Sequence, residues 1–216
     1  MCGRFALVQP EKMEEQFSVF INPLPPARYN ITPQQPINVI CEVERLRQMR
    51  LMLWGLIPFW AKDASIGQKL INARSETAHE KPSFRSAFRY RRCLIPADGY
   101  YEWQSTSKGK QPYYFSNSEK RLFAIAGLWE SWNDIETVVI LTTQANALMK
   151  PVHHRMPVII EPQDYQRWLN PFTPWQEMKP LMAAKEHQWM HRYPVSTLVN
   201  RPTVDAPSCI EPITLE

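Results

Sequence analysis

The chain has 216 residues, with 20 prolines against 6 glycines, an inversion of the usual shares of about 5% and about 7%. Hydrophobic residues make up 44% and aromatic residues 12%, which is material for a packed core and excludes a proline-rich disordered tail. The net charge of +4 permits a polyanionic partner without demanding one, and the longest apolar runs, Leu122 to Trp129 and Val138 to Leu141, fall far short of the ~18 residues of a membrane span.

In chain order, Met13, Phe17 and Phe20 fall at steps of four and three and predict a short amphipathic helix over Glu11 to Phe20, ended by Asn22-Pro23-Leu24-Pro25-Pro26. Ile37 to Val43 and Leu46 to Trp54 read as a hairpin. Further strands are expected at Cys93 to Pro96, Tyr100 to Gln104, Pro112 to Phe115, Leu122 to Gly127, Thr137 to Thr142 and Val158 to Glu161. Their connections are too brief for crossover helices, which favours antiparallel pairing. Helices are expected at Ser83 to Tyr90, Gln163 to Leu169 and Pro174 to Ala184. The expected architecture is one α+β domain over residues 1–216, a curved, barrel-like, mostly antiparallel sheet with peripheral helices.

The N-terminus has no hydrophobic signal core, and Glu11, Glu14 and Glu15 follow closely, so a cytoplasmic protein is expected. Cys2, Cys41, Cys93 and Cys209 lack CxxC spacing, so neither a disulfide framework nor a zinc site is expected, and no metal or cofactor.

Cys2 carries the most distinctive chemistry. With Met1 removed it presents an α-amine beside a thiol, with unperturbed pKa values near ~8 and ~8.5. Such an aminothiol condenses with an aldehyde to a Schiff base, which the thiol closes into a five-membered thiazolidine in a fast intramolecular step. An incidental cysteine at a frayed end is the plain alternative.

Asn72 and Arg74 alternate in an extended segment and share a face, one suited to orienting an oxygen and the other to holding a phosphate. The bland reading is a turn asparagine with an Arg74–Glu76 ion pair. Glu102 leaves the Asp98-Gly99 turn among aromatics, where partial desolvation suits a carboxyl to proton transfer; a solvated strand glutamate is the commoner case. His153 and His154 sit between Pro151 and Pro157 in a stiff loop, and two adjacent histidines point in different directions. His187-Gln188-Trp189-Met190-His191 imitates a metalloprotease helix but has Gln where the base should stand.

Over Ser83 to Arg92, Arg85, Arg89, Arg91 and Arg92 interleave with Phe84, Phe88 and Tyr90, the composition of a single-strand-binding surface or of an amphipathic helix burying its phenylalanines. Phe59 and Trp60, after Pro58, either stack on bases or fill core.

Met1 to Phe5, Tyr29 to Pro33, Trp54 to Pro58, Ile71 to Thr77, Cys93 to Trp103 and His153 to Pro157 together resemble the SRAP family, the SOS response-associated peptidases or abasic-site processing proteins. Each motif is weak alone; six in order across most of the chain are specific. The resemblance implies a monomeric β-barrel-like protein that binds single-stranded DNA and captures abasic sites, associating with the nucleoid when bound. It assigns Cys2 as nucleophile, Asn72 as orienting the sugar, Glu102 to ring opening, and His153 to Schiff-base formation and reversal. Arg4, Arg74 and Arg85 would hold phosphates, and Pro33, Phe59 and Trp60 would meet bases. His154 stands where some relatives have Asp. The resemblance also implies autocatalytic removal of Met1, which a methionine aminopeptidase would equally perform before the small Cys2.

Two rival readings start from the same residues. An N-terminal-nucleophile glutamine amidotransferase also begins Met-Cys-Gly, but its Asn-Gly-containing loop is missing here. A non-catalytic nucleic-acid-binding barrel would bind DNA regardless of abasic sites.

Overall fold

The computed structural model describes residues 2–215. Its strands are β1 (Phe5–Leu7), β2 (Arg28–Ile31), β3 (Pro36–Val43), β4 (Leu46–Trp54), β5 (Asn72–Arg74), β6 (Arg92–Ala97), β7 (Gly99–Thr106), β8 (Gly109–Asn117), β9 (Phe123–Trp132), β10 (Ile135–Gln144), β11 (Arg155–Pro157), β12 (Ile159–Ile160) and β13 (Met190–Pro194). Four short α-helices, α1 (Met13–Phe17), α2 (Arg85–Tyr90), α3 (Tyr165–Leu169) and α4 (Trp175–Met178), lie between them.

Strands β10, β4, β3, β6 and β9 follow one another in the larger sheet, and the β9–β10 pairing closes them into a five-stranded barrel. The β3–β4 hairpin has the expected register, Pro36 opposite Leu53 through Val43 opposite Leu46, with Glu44 and Arg45 both left-handed in the two-residue turn. Pairing between the strands is antiparallel, as the short connections favour, except where β10 runs parallel to β4 and β5. β10 meets β4 and β5 through long detours of chain rather than by direct connections.

The second sheet, ordered β13-β8-β7-β1-β2, packs one face on the barrel and the other under the C-terminal segment. Alternation along the strands sorts the faces. Phe5, Leu7, Tyr100 and Phe115 join the main core, whereas Ala6, Tyr101 and Tyr114 meet Val195, Val199 and Cys209.

The helices are shorter than the periodicity implies. The first ends at Phe17 rather than Phe20, because Ser18 turns left-handed with φ of 52° well before the prolines. The Gln163 to Leu169 and Pro174 to Ala184 segments each mix 3-10 and α turns, and Pro180, lacking an N–H, divides the second. The His187–His191 stretch is not helical. It is a loop entering β13, with His187 Nδ1 2.7 Å from the Glu161 carboxylate.

Asp98-Gly99 is not a hairpin turn but the corner where the chain leaves the barrel for the second sheet, between β6 and β7. The Asp98 carboxylate accepts from the Val8 and Gln9 amides and from Gln9 Nε2, pinning β1 to that corner. Gly99 is obligatory there, since a Cβ would lie 2.3 Å from Tyr114 Cζ and 2.5 Å from the Phe115 oxygen. Gly99→Ala is therefore expected to cost about 3 kcal/mol, read as a lowered urea midpoint.

Candidate functional site at the end of β10

The C-terminal end of β10 carries one sequence motif on each flank. β5 pairs parallel through Ile140 to Thr142, and β11 pairs antiparallel through Thr142 to Gln144. Burial of Ala73 leaves Asn72 half-buried and Arg74 exposed on the opposite face, as the alternation predicts. Asn72 Nδ2 donates to the Cys2 carbonyl at 2.8 Å, tying the N-terminus to β5. Asn72 Oδ1 is buried with no hydrogen-bond partner, leaving a pre-positioned acceptor beside Cys2.

Cys2 is fully buried, so it does not lie at a frayed end. Burial, reinforced by the Glu102 carboxylate, pushes its thiol up to about 12. The thiol is thus neutral at physiological pH in the chain that bears Met1. Glu102 is itself buried, on the face of β7 that Tyr100 turns toward the core, so it is not the solvated strand glutamate of the plain reading.

His153 is half-buried and His154 exposed, their rings stacked with centroids 4.3 Å apart. Desolvation lowers the His153 pKa below its ordinary value, against an opposing pull from Glu102. Its Nδ1 lies 3.0 Å from the Arg155 amide nitrogen and 3.2 Å from the Arg155 carbonyl oxygen, so the backbone of β11 holds the ring in place. Asn72 is thus hydrogen-bonded to Cys2, and the Glu102 carboxylate acts on both the Cys2 thiol and the half-buried His153 ring.

Arg155 was not singled out by the sequence. Its guanidinium holds Glu76 through two bonds of 2.7 and 2.9 Å and donates to the Thr142 carbonyl at 2.6 Å. This stands in place of the Arg74–Glu76 ion pair of the bland reading and fastens the histidine loop to the segment that follows Arg74. The Arg155 hydrogen bonds hold the Glu76 carboxyl below its ordinary value. A depressed carboxylate contributes stability that is present above the unfolded-state value of about 4.3 and is lost as pH falls through the folded value. With Glu76 42% exposed, the effect is expected to stay within about 1 kcal/mol. Urea denaturation of Glu76→Gln between neutral and acid pH should show a flattened acid limb.

The remaining candidates divide. Arg74 and Arg85 are exposed and make no side-chain hydrogen bond or ion pair among the described residues. Arg4 instead sits on the reverse face of its sheet, where Nη1 donates to Asn30 Oδ1 at 2.9 Å and to the Val199 carbonyl at 2.6 Å. Phe59 and Trp60 are 61% and 49% exposed rather than core, on a loop closed by the Leu56 amide donating to the Leu70 carbonyl. Gln34 stitches the half-buried Pro33 to the base of that loop through the carbonyls of Trp54 and Gly67. Gly55, at φ of 141°, is required there because a Cβ would meet Gln34 Nε2 at 2.4 Å.

On α2 the phenylalanines Phe84 and Phe88 are buried, as in the amphipathic-helix reading. Arg91 pairs with Glu130 at 2.6 Å, and buried Arg92 donates to four backbone carbonyls. Arg85, Arg89 and Tyr90 remain exposed. Among the described residues no three His, Cys, Asp or Glu side chains group as a metal site.

Comparison with known proteins gives this arrangement a family. The model of the SOS response associated peptidase (SRAP) family matches residues 1–202. "Abasic site processing protein YoqW" of Bacillus subtilis is 42% identical, covering 98% of this chain and 99% of its own. "Abasic site processing protein YedK" of Escherichia coli is 25% identical, over 99% of this chain and all of its own. A crystal structure of a protein from Bacteroides thetaiotaomicron superposes with a TM-score of 0.89 at 26% identity, covering 99% of this chain and 100% of that one. The chain belongs to the SRAP family.

Proposed function

We propose that, with Met1 removed, the protein captures abasic sites in single-stranded DNA through Cys2. The observation that carries this reading is the convergence of Cys2 with Asn72, Glu102 and His153 at one end of β10, in a chain whose relatives are named for abasic-site processing.

The chemistry follows from which groups are available. Glu102 accepts the proton of the C1′ hydroxyl as the sugar ring opens, while the ring oxygen is protonated, giving the open-chain aldehyde. Asn72 Oδ1, lacking a partner, accepts a hydrogen bond from a sugar hydroxyl. The α-amine of Cys2 attacks C1′, and the carbinolamine loses water to give the Schiff base. His153, half-buried under the pull of Glu102, relays a proton to the departing hydroxyl and recovers one in the reverse direction.

The thiol then adds to C1′ as its proton passes to nitrogen, closing the thiazolidine with net loss of one water. Because burial keeps the thiol neutral, the amine reacts first. Once the Schiff base has formed, its protonated nitrogen places a positive charge next to the thiol, which lowers the thiol pKa and readies it for the second step.

Phosphate contacts fall to Arg74 and Arg85, with Arg4 adding charge from the reverse face and securing the N-terminal strand. Pro33, Phe59 and Trp60 form the surface that meets bases beside the lesion. Incubation with an abasic oligonucleotide followed by a denaturing gel tests the proposal. A shifted, heat-stable band with the abasic but not the intact strand is expected; no band, or equal bands on both, overturns it.

A further inference from the structure

Two cavities of about 660 and about 850 Å³ adjoin beside α2 and α4. His79 and Trp175 line both, and their rings stack with centroids 4.2 Å apart, so together they form a ridge between two hollows. Pro180, Met182 and Ala183 line the first hollow with Ser75 and Thr143. Pro171, Phe172, Met178 and Tyr90 line the second. The lining is therefore largely apolar and in part methionine, a side chain that adapts readily to an irregular partner.

The free charge around this surface has one sign. Arg85, Arg89 and Lys179 are exposed in the lining, and their side chains make no hydrogen bond or ion pair among the described residues. Arg92 is turned inward, onto four backbone carbonyls. Glu76, the acidic side chain of the lining, is held by the Arg155 guanidinium at 2.7 and 2.9 Å. Phe172 is 89% exposed and Tyr90 56%, large rings at a cleft edge of the kind that a partner covers.

We propose that this double groove docks an acidic peptide segment of a partner protein, its apolar side chains entering the two hollows and its carboxylates meeting Arg89 and Lys179. An extended peptide turns alternate side chains to the same side, about 7 Å apart, so two of them straddle the His79–Trp175 ridge. Phe172 and Tyr90 cover those side chains at the rim, and Arg85 keeps the phosphate contact proposed above. Single-stranded nucleic acid fits the lining less well. Proline, methionine and alanine offer no face on which a base stacks, and His79 already takes one face of Trp175. Docking here needs neither Cys2 nor DNA, so it stands apart from the proposed capture.

The probe is a fluorescein-labelled peptide of about ten residues, alternating aspartate with leucine or phenylalanine, about 33 Å long when extended. Fluorescence anisotropy is expected to show saturable binding to the full chain. Replacing every leucine and phenylalanine of the peptide by serine, which keeps its charge, should weaken binding at least about tenfold. Replacing its aspartates by lysine should abolish binding. On the protein side, Ala183→Trp fills the first hollow from an exposed position, and Phe172→Ser removes the rim of the second; each should weaken the peptide about tenfold. Ala183→Ser leaves the hollow open and should bind as the wild type does. Both weakening variants should keep wild-type affinity for oligo-dT, which also shows that they fold.

Absence of saturable binding, equal binding of the serine or lysine peptide, or unchanged binding to Ala183→Trp and Phe172→Ser would overturn the proposal. Equal loss of peptide and oligo-dT in those variants would assign the groove to nucleic acid and overturn it as well. The peptide assay involves no abasic site, so a failure of capture at Cys2 and a failure of docking are read separately.

Discussion

Cys2→Ser, with Met1 removed, is expected to abolish the heat-stable crosslink while leaving a Schiff base that borohydride can trap. Serine keeps the α-amine, so the first attack on C1′ survives. What is lost is the sulfur that closes the ring, and an intramolecular nucleophile carries an effective molarity on the order of 10⁵ M or more. The stable product should fall at least about 100-fold, read on a denaturing gel without reductant. Cys2 also fills a fully buried position under the Asn72 hydrogen bond, and the near-isosteric serine keeps that backbone contact. Noncovalent binding of the abasic strand should therefore stay close to the wild-type value. An undiminished heat-stable adduct with Cys2→Ser would assign the linkage to another residue.

Glu102→Gln should slow capture of an abasic sugar by roughly 10² to 10⁴, the usual contribution of a positioned general base. The amide fills the same buried place on β7 but cannot accept the hydroxyl proton during ring opening. A small open-chain aldehyde needs no ring opening, so the variant should react with it at close to the wild-type rate. That split separates a proton-transfer role from a structural one. If both aldehydes slow together, Glu102 serves to shape the pocket or to hold the amine. The substitution also removes the carboxylate that adds to the burial effect on the Cys2 thiol, so the thiol pKa should move down from about 12.

The four residues proposed for capture stand out in the sequence because each pairs a reactive group with a local pattern: an N-terminal aminothiol, an alternating Asn72 and Arg74, a glutamate among aromatics, a histidine in a proline-bounded loop. The choice between His153 and His154 was not readable from adjacency. It depends on the Arg155 amide reaching His153 Nδ1 and on burial of one ring only, both set by how β11 meets β10. Arg155 itself went unnoticed although it stands in the same motif, because its partner Glu76 lies 79 residues away and the nearer Arg74 offered an obvious local pair.

Arg4 shows the same limit from the other side. Two positions before Ala6, it shares that residue's face, but only the packing of the C-terminal segment reveals that this face is covered by protein. The barrel was readable as a set of strands, yet β1, β2 and β13 escaped detection. They run three to five residues and find their partners across long stretches of chain rather than through a turn. The prolines flanking the motifs suit preorganised loops, and beside Pro33 the Gln34 side chain ties that turn to the base of the Phe59–Trp60 loop.

The most direct measurement is intact-mass and peptide mapping of the processed protein after reaction with a defined abasic oligonucleotide. The expected adduct has the summed mass of the two partners less one water, with the modification on the peptide beginning at Cys2 and no free thiol at that residue. An adduct mapping to a lysine, or one that leaves the Cys2 thiol open to alkylation, would contradict capture as a thiazolidine.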